Sequence, residues 1–156
     1  MRFTIVAVGD RLPDWADAAT AEYLKRMPRE ARVELKQVAA ARGSTRSDAR
    51  AAMKTEGERL LAAIPAGALK VILDEQGEAF DTRAFARFLD HAMTRGTPLA
   101  FIIGGADGLH ADVRRSADRT LSLSPMTLPH ALARVVLAEQ LYRAVSLLKG
   151  HPYHRG

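Results

Sequence analysis

The sequence predicts an α/β fold, a parallel sheet flanked by helices. Two observations carry that prediction. Apolar, strand-like runs alternate with segments of helical period, and the connections between them are short. Strands joined through helices lie parallel and are covered on both faces. A third observation sets the extent. No repeat and no linker interrupts the alternation, so residues 1–156 are expected to form a single domain.

The elements follow in order. The first strand spans 2–8, an apolar run that stops at Gly9. A helix covers 14–26, just after Pro13. The second strand covers 32–38. The stretch from Ala39 to Asp48, with Arg42, Gly43, Ser44, Thr45 and Arg46, predicts a mobile loop. A helix at 47–63 leads to a strand at 69–74, and a helix at 82–95 leads to a strand at 98–103. A helix at 109–117 and a strand at 119–123 complete the alternation. The last helix, 131–148, is the clearest. Leu132, Val135, Val136, Leu141, Val145 and Leu148 recur at helical spacing, Pro129 precedes it and Gly150 ends it. Glu139 and Arg143 stand at i and i+4, where an ion pair supports a helix.

Composition narrows the function. Hydrophobic residues make up 47% of the chain, which suits a folded core. No apolar run is long enough to span a bilayer. The opening residues are too strand-like for a signal peptide, so a cytoplasmic protein without membrane partners is expected. With no Cys, disulfides, thiolate metal sites and a covalent Cys nucleophile are excluded. The net charge is +5, with 18 Arg against 5 Lys. Guanidinium suits bidentate phosphate contact, so RNA is one reading and compositional bias toward Arg is the other. No G-x-G-x-x-G follows the first strand and no Walker lysine motif occurs, which disfavours dinucleotide and P-loop enzymes.

The last third of the chain carries the chemistry. Phe101-Ile102-Ile103-Gly104-Gly105 is a strand running into a glycine turn, suited either to a tight bend or to close approach of a ligand. Leu121-Ser122-Leu123-Ser124-Pro125-Met126-Thr127-Leu128-Pro129-His130 is a strand running into a loop of small and apolar residues. In open α/β sheets such loops, beyond the carboxyl ends of strands, hold ligands. His130 suits a helix cap or proton work, and Arg143 either a partner for Glu139 or an anion contact. Asp107 shapes a turn. The terminus His151-Pro152-Tyr153-His154-Arg155-Gly156 holds groups able to stack, bind phosphate and accept a proton. His151 and His154 have loose H-x-x-H spacing without further ligands, so no metal site is predicted.

Four motifs in order resemble one family. Ile103-Gly104-Gly105, Thr127-Leu128-Pro129-His130, Glu139-Gln140-Leu141-Tyr142-Arg143 and His151-Pro152-Tyr153-His154-Arg155 are similar to those of the RlmH family, bacterial 23S rRNA pseudouridine N3-methyltransferases of the SPOUT (α/β-knot) class. Pro125 departs from the small residue expected there. The resemblance implies a C-terminal trefoil knot and S-adenosyl-L-methionine as methyl donor. It implicates Leu73, Gly104, Gly105, Leu123, Ser124, Pro125, Met126, Thr127 and Leu128 in holding that donor. It implies His154, Tyr153, Arg155, His130 and Arg143 in catalysis, His154 being the first choice of base and His130 the second. It implies a homodimer with a shared site, and 23S rRNA within the assembled ribosome as substrate, at the pseudouridine numbered 1915. Two alternatives stand beside it. One is a SPOUT enzyme acting on another RNA nucleotide, such as a ribose 2′-hydroxyl. The other is a noncatalytic RNA-binding protein of ribosome assembly.

Overall fold

Five parallel strands build one sheet, in the order β2-β1-β4-β3-β5. The structure is a computed structural model and describes residues 2–9, 12–41 and 46–155. The strands are β1 (Arg2–Val8), β2 (Arg32–Val38), β3 (Leu69–Ala79), β4 (Leu99–Ile103) and β5 (Arg119–Ser122). The helices are α1 (Asp14–Lys25), α2 (Arg46–Ala63), α3 (Thr82–Arg95), α4 (Ala111–Ser116) and α5 (His130–Leu148). Short 3₁₀ turns add Arg29–Ala31 and Pro152–Arg155. The expected alternation and its parallel sheet are therefore present. Residues 42–45 of the expected mobile loop lie outside the described residues, and α2 takes in its last residues, from Arg46.

The alternation of side chains across each strand sorts the core into two layers. Phe3, Ile5, Ala7, Val71, Leu99, Phe101 and Ile103 point to one face, where α3 and α5 bring Phe85, Leu89, Leu137 and Leu141. Val6, Val8, Ile72 and Ile102 point to the other, under Leu60 of α2 and Val113 of α4. All five residues of β4 are buried, because it lies between β1 and β3 with a layer on each side. Helix ends are fixed by local chemistry. Asp81 accepts a 2.7 Å bond from the Ala84 N–H at the start of α3, and Gly96 ends it in a left-handed conformation.

Two departures from the sequence expectations shape the molecule. First, β3 does not stop at 74. It pairs with β5 through Leu73↔Leu121, loops out, and returns at Glu78↔Leu121 and Ala79↔Ser122. Gly77 permits this, since a Cβ there would lie 2.7 Å from the Thr120 carbonyl oxygen. Second, α5 is apolar around much of its circumference. Leu137, Ala138, Leu141, Ala144 and Val145 are its buried apolar residues, while Leu132, Val135 and Val136 are only partly covered and Leu148 is exposed. Periodicity marks apolar positions but not which of several apolar stripes faces the sheet. The Glu139–Arg143 ion pair forms as expected, at 2.7 Å.

Candidate active site

The loop-out in the middle of β3 and the carboxyl ends of β4 and β5 converge on one hollow. Leu73, Asp74 and Glu75 come from β3 where it leaves the ladder, and Ile103 from the end of β4. Leu123, Ser124, Met126 and Leu128 come from the loop after β5, and Ala133 from the first turn of α5. The enclosed cavity is about 90 Å³. Sites for drug-sized ligands run from roughly 300 Å³ upward. The hollow is open on one side, with Met126 77% exposed on its rim.

The loop is held by its own hydroxyls. The Ser122 hydroxyl donates to the Ser124 carbonyl at 2.9 Å, and the Met126 N–H donates to the Ser124 hydroxyl at 2.9 Å. The Thr127 hydroxyl bonds the Glu75 carboxylate, fastening the loop to the β3 loop-out. Pro125 is exposed and off the cavity wall. Asp74 bonds Arg114 and accepts the Gln76 N–H at 2.9 Å. Burial alone would push its carboxyl up, but the Gln76 N–H and the Arg114 guanidinium together hold it below the usual carboxylate range.

Gly104 and Gly105 follow the cavity-lining Ile103, yet their missing side chains face protein. A Cβ on Gly104 would sit 2.8 Å from the Gly108 backbone, and one on Gly105 would sit 3.1 Å from Val8 and 3.4 Å from Glu56. The Gly108 N–H closes the turn onto the Gly105 carbonyl at 3.0 Å. These glycines let the turn fold back tightly, which leaves its backbone at the head of β4, next to the cavity.

The residues expected to catalyse fall into two groups. His130 opens α5 beside the cavity-lining Ala133. Arg143 lies thirteen residues further on, about 20 Å along the helix. The terminal turn packs there. Tyr153 packs against Tyr142 with ring centroids 4.6 Å apart and planes tilted by 57°, its hydroxyl meets the Glu139 carboxylate at 3.2 Å, and the Arg143 guanidinium lies 4.9 Å from its ring centre. Burial first, then the Tyr23 hydroxyl, pushes the Tyr153 phenol up to about 12. Arg155 is exposed, and the side chain of His154 lies outside the described residues. Within one chain, Tyr153 and Arg143 therefore sit together far along α5 from its first turn, while the His130 imidazole does not line the hollow and lies near Gly9 at the end of β1. Among the described residues no cluster of three or more His, Asp or Glu is placed to hold a metal.

One residue of this region was not singled out from the sequence. Arg134 is 1% exposed and has no ion-pair partner among the described residues. Its Nη2 donates to the carbonyls of Val8 and Gly9 at 3.2 and 3.1 Å, and its Nη1 to Gln37 Oε1 at 2.8 Å. It ties the ends of β1 and β2 to the first turn of α5. Its signal was an Arg inside the apolar run Leu132 to Leu137, four residues after His130.

Comparison with known proteins decides the family. A family model described as "Predicted SPOUT methyltransferase" matches residues 1–154. The chain belongs to the SPOUT methyltransferase family. It is 49% identical over 155 residues to ribosomal RNA large subunit methyltransferase H of Thioalkalivibrio sulfidiphilus, covering 99% of each chain. The protein of the same name from Thiobacillus denitrificans is 46% identical, with the same coverage. Among solved structures, a probable methyltransferase from Bordetella pertussis Tohama I superposes with a TM-score of 0.55 at 22% identity, covering 92% of this chain and 96% of its own. A probable methylase family protein from Haemophilus influenzae Rd KW20 gives 0.53 at 12% identity, covering 97% and 69%. These two likenesses show a shared SPOUT fold, in agreement with the parallel sheet described above. The chain is thus a methyltransferase. Among the described residues, no helix is long and apolar enough to cross a membrane.

Proposed function

We propose that the protein transfers a methyl group from S-adenosyl-L-methionine to N3 of a pseudouridine in 23S rRNA, on assembled ribosomes, as a cytoplasmic homodimer whose C-terminal segment is knotted. One observation supports this above the others: the hollow at the β3 loop-out and the carboxyl ends of β4 and β5 is walled by Leu73 and by residues of the loop from Leu123 to Leu128, while Tyr153 packs far along α5 from it. The full-length relatives named ribosomal RNA large subunit methyltransferase H supply the substrate class.

The residues fit the donor. Leu73, Ile103, Leu123 and Leu128 offer an apolar slot for an adenine ring, and backbone groups of the Gly104–Gly105 turn and of the loop can read its edge. When bound, the donor supplies an electrophilic methyl on a positively charged sulfonium. The chain's part is to orient it, exclude water and manage one proton. N3 of pseudouridine is an imide N–H and must lose that proton before it attacks. His154 is the proposed acceptor and His130 the second candidate. Tyr153 keeps its own proton at neutral pH and serves by stacking on a base. Arg143 and Arg155 meet phosphate or substrate.

The distance along α5 argues for a shared site. A partner related by a two-fold axis can lay its terminal turn over the hollow that its own chain cannot reach. Surface suited to such a contact is present: Trp15 is 56% exposed, and Met126 and Leu148 are also uncovered.

The test is methyl transfer from labelled donor to ribosomes from cells lacking the protein, with the modified nucleotide mapped. Intact ribosomes are expected to be methylated far faster than naked 23S rRNA, and only where the uridine has been isomerised. Equal rates on naked rRNA would overturn the ribosome as substrate. A methyl on a ribose oxygen would overturn the reaction.

A further inference from the structure

The loop-out of β3 has a consequence for selectivity. By leaving the ladder at Leu73 and returning at Glu78, the chain puts Asp74 and Glu75 on the wall of the hollow. The two carboxylates are in different electrical states. Asp74 is neutralised by Arg114. Glu75 bonds the Thr127 hydroxyl, a neutral partner, and no salt bridge among the described residues engages it. The Glu75 carboxylate, exposed to solvent and without a cationic partner among the described residues, therefore stands on the wall of a cavity otherwise lined mainly by Leu, Ile and Met.

We infer that Glu75 is a specificity-determining residue, which makes this pocket favour the positively charged methyl donor over its neutral thioether product. The inference rests on the donor site proposed above. The donor carries a sulfonium charge that disappears when the methyl leaves, since the bonding pair stays on sulfur. A carboxylate at the solvent-exposed edge of the wall attracts the cation, screened by water and salt, and gains nothing from the thioether. The effect holds donor in the site and releases product from it, which matters for an enzyme whose product differs from its donor by one methyl and one charge. The Glu75–Thr127 bond adds precision, because it fixes the carboxylate against the loop that forms the opposite wall.

The experiment is calorimetric titration of the dimeric protein with S-adenosylmethionine and, separately, with S-adenosylhomocysteine. Glu75→Gln removes the charge and keeps an amide oxygen able to accept from Thr127, so the loop retains its anchor. In that variant, donor affinity is expected to fall about fivefold while product affinity changes less than about twofold. Glu75→Lys is expected to push the ratio further the same way. The parent's preference for donor should shrink as salt rises, and the Gln variant's should be nearly independent of salt. Equal losses for both ligands would make Glu75 a structural anchor and overturn the inference, as would an unchanged ratio. If the parent binds neither ligand, the donor site itself falls, and that outcome is distinct from a ratio that ignores residue 75.

Discussion

Arg134 shows how one residue can bind an element to the sheet. Its guanidinium is buried with no ion-pair partner among the described residues, and burial pushes its pKa down, with Asp17 opposing. It is held by three bonds, to the Val8 and Gly9 carbonyls and the Gln37 side chain, while its Nε finds no partner among the described residues. Arg134→Met keeps the volume but orphans those acceptors. Urea unfolding should show a loss of about 2–4 kcal/mol. Tyr153 gives a second prediction, from its raised pKa. The folded chain holds the phenolic proton more tightly than the unfolded chain, whose value is near 10. Its contribution to stability is complete below about pH 10 and is lost as pH rises toward 12. Tyr153→Phe should flatten the fall in stability across that window, measured as the difference between the two urea-unfolding profiles. Superimposable profiles would mean that the phenol is not held as described.

At the scale of elements, the loop-out of β3 and the glycine turn after β4 are built on missing side chains. Gly77→Ala would drive a methyl into the Thr120 backbone at 2.7 Å, where nothing flexible can yield. The expected cost is about 1–3 kcal/mol. Because Asp74 and Glu75 ride on that loop-out, donor affinity should fall with it; a stable variant with unchanged affinity would separate the loop-out from the site. Gly104→Ala meets the Gly108 backbone at 2.8 Å and should also destabilise. That clash lies within the turn, so loss of binding in such a variant reports a displaced turn, not a blocked pocket. The elements themselves were largely legible in the sequence. Strands and helices of this chain have clear apolar patterns and Pro or Gly at many of their ends. The extra length of β3 was not legible, because Glu75, Gln76 and Glu78 are poor strand formers and only β5 draws Glu78 and Ala79 back into register.

At the scale of the whole molecule, the question is how two groups far apart on α5 make one site. A two-fold dimer answers it, and mixing tests it. A chain lacking residues 151–156 is expected to lose methyl transfer while still binding donor. A chain with Gly104→Val keeps its tail but loses its pocket. Neither should be active alone. When the two are unfolded and refolded together, half the dimers are mixed and each mixed dimer has one intact pocket under one intact tail. About a quarter of the parent activity should return. No recovery, with mixed dimers shown to form by capture through a tag on only one of the two chains, would return the whole site to a single chain. Truncation also removes the Tyr142–Tyr153 contact and the Tyr153–Glu139 bond, so some loss of stability should accompany it.

The sequence by itself determined the alternation of strands and helices, the loops in which chemistry could sit and, through four motifs, the family. Those features are local: apolar period, proline and glycine punctuation, and short runs of particular residues. The order of the strands, the convergence of Leu73 with Leu123, Met126 and Leu128, and the burial of Arg134 depend on contacts between residues far apart in the chain, and only the tertiary structure decided them. It also decided that the glycines of the turn face protein, that Glu75 stands at the wall of the hollow with no salt-bridge partner among the described residues, and that the tail packs away from it. The physical reason is the same in each case. A side chain's environment is set by what the sheet brings beside it, and no run of neighbours in sequence contains that information.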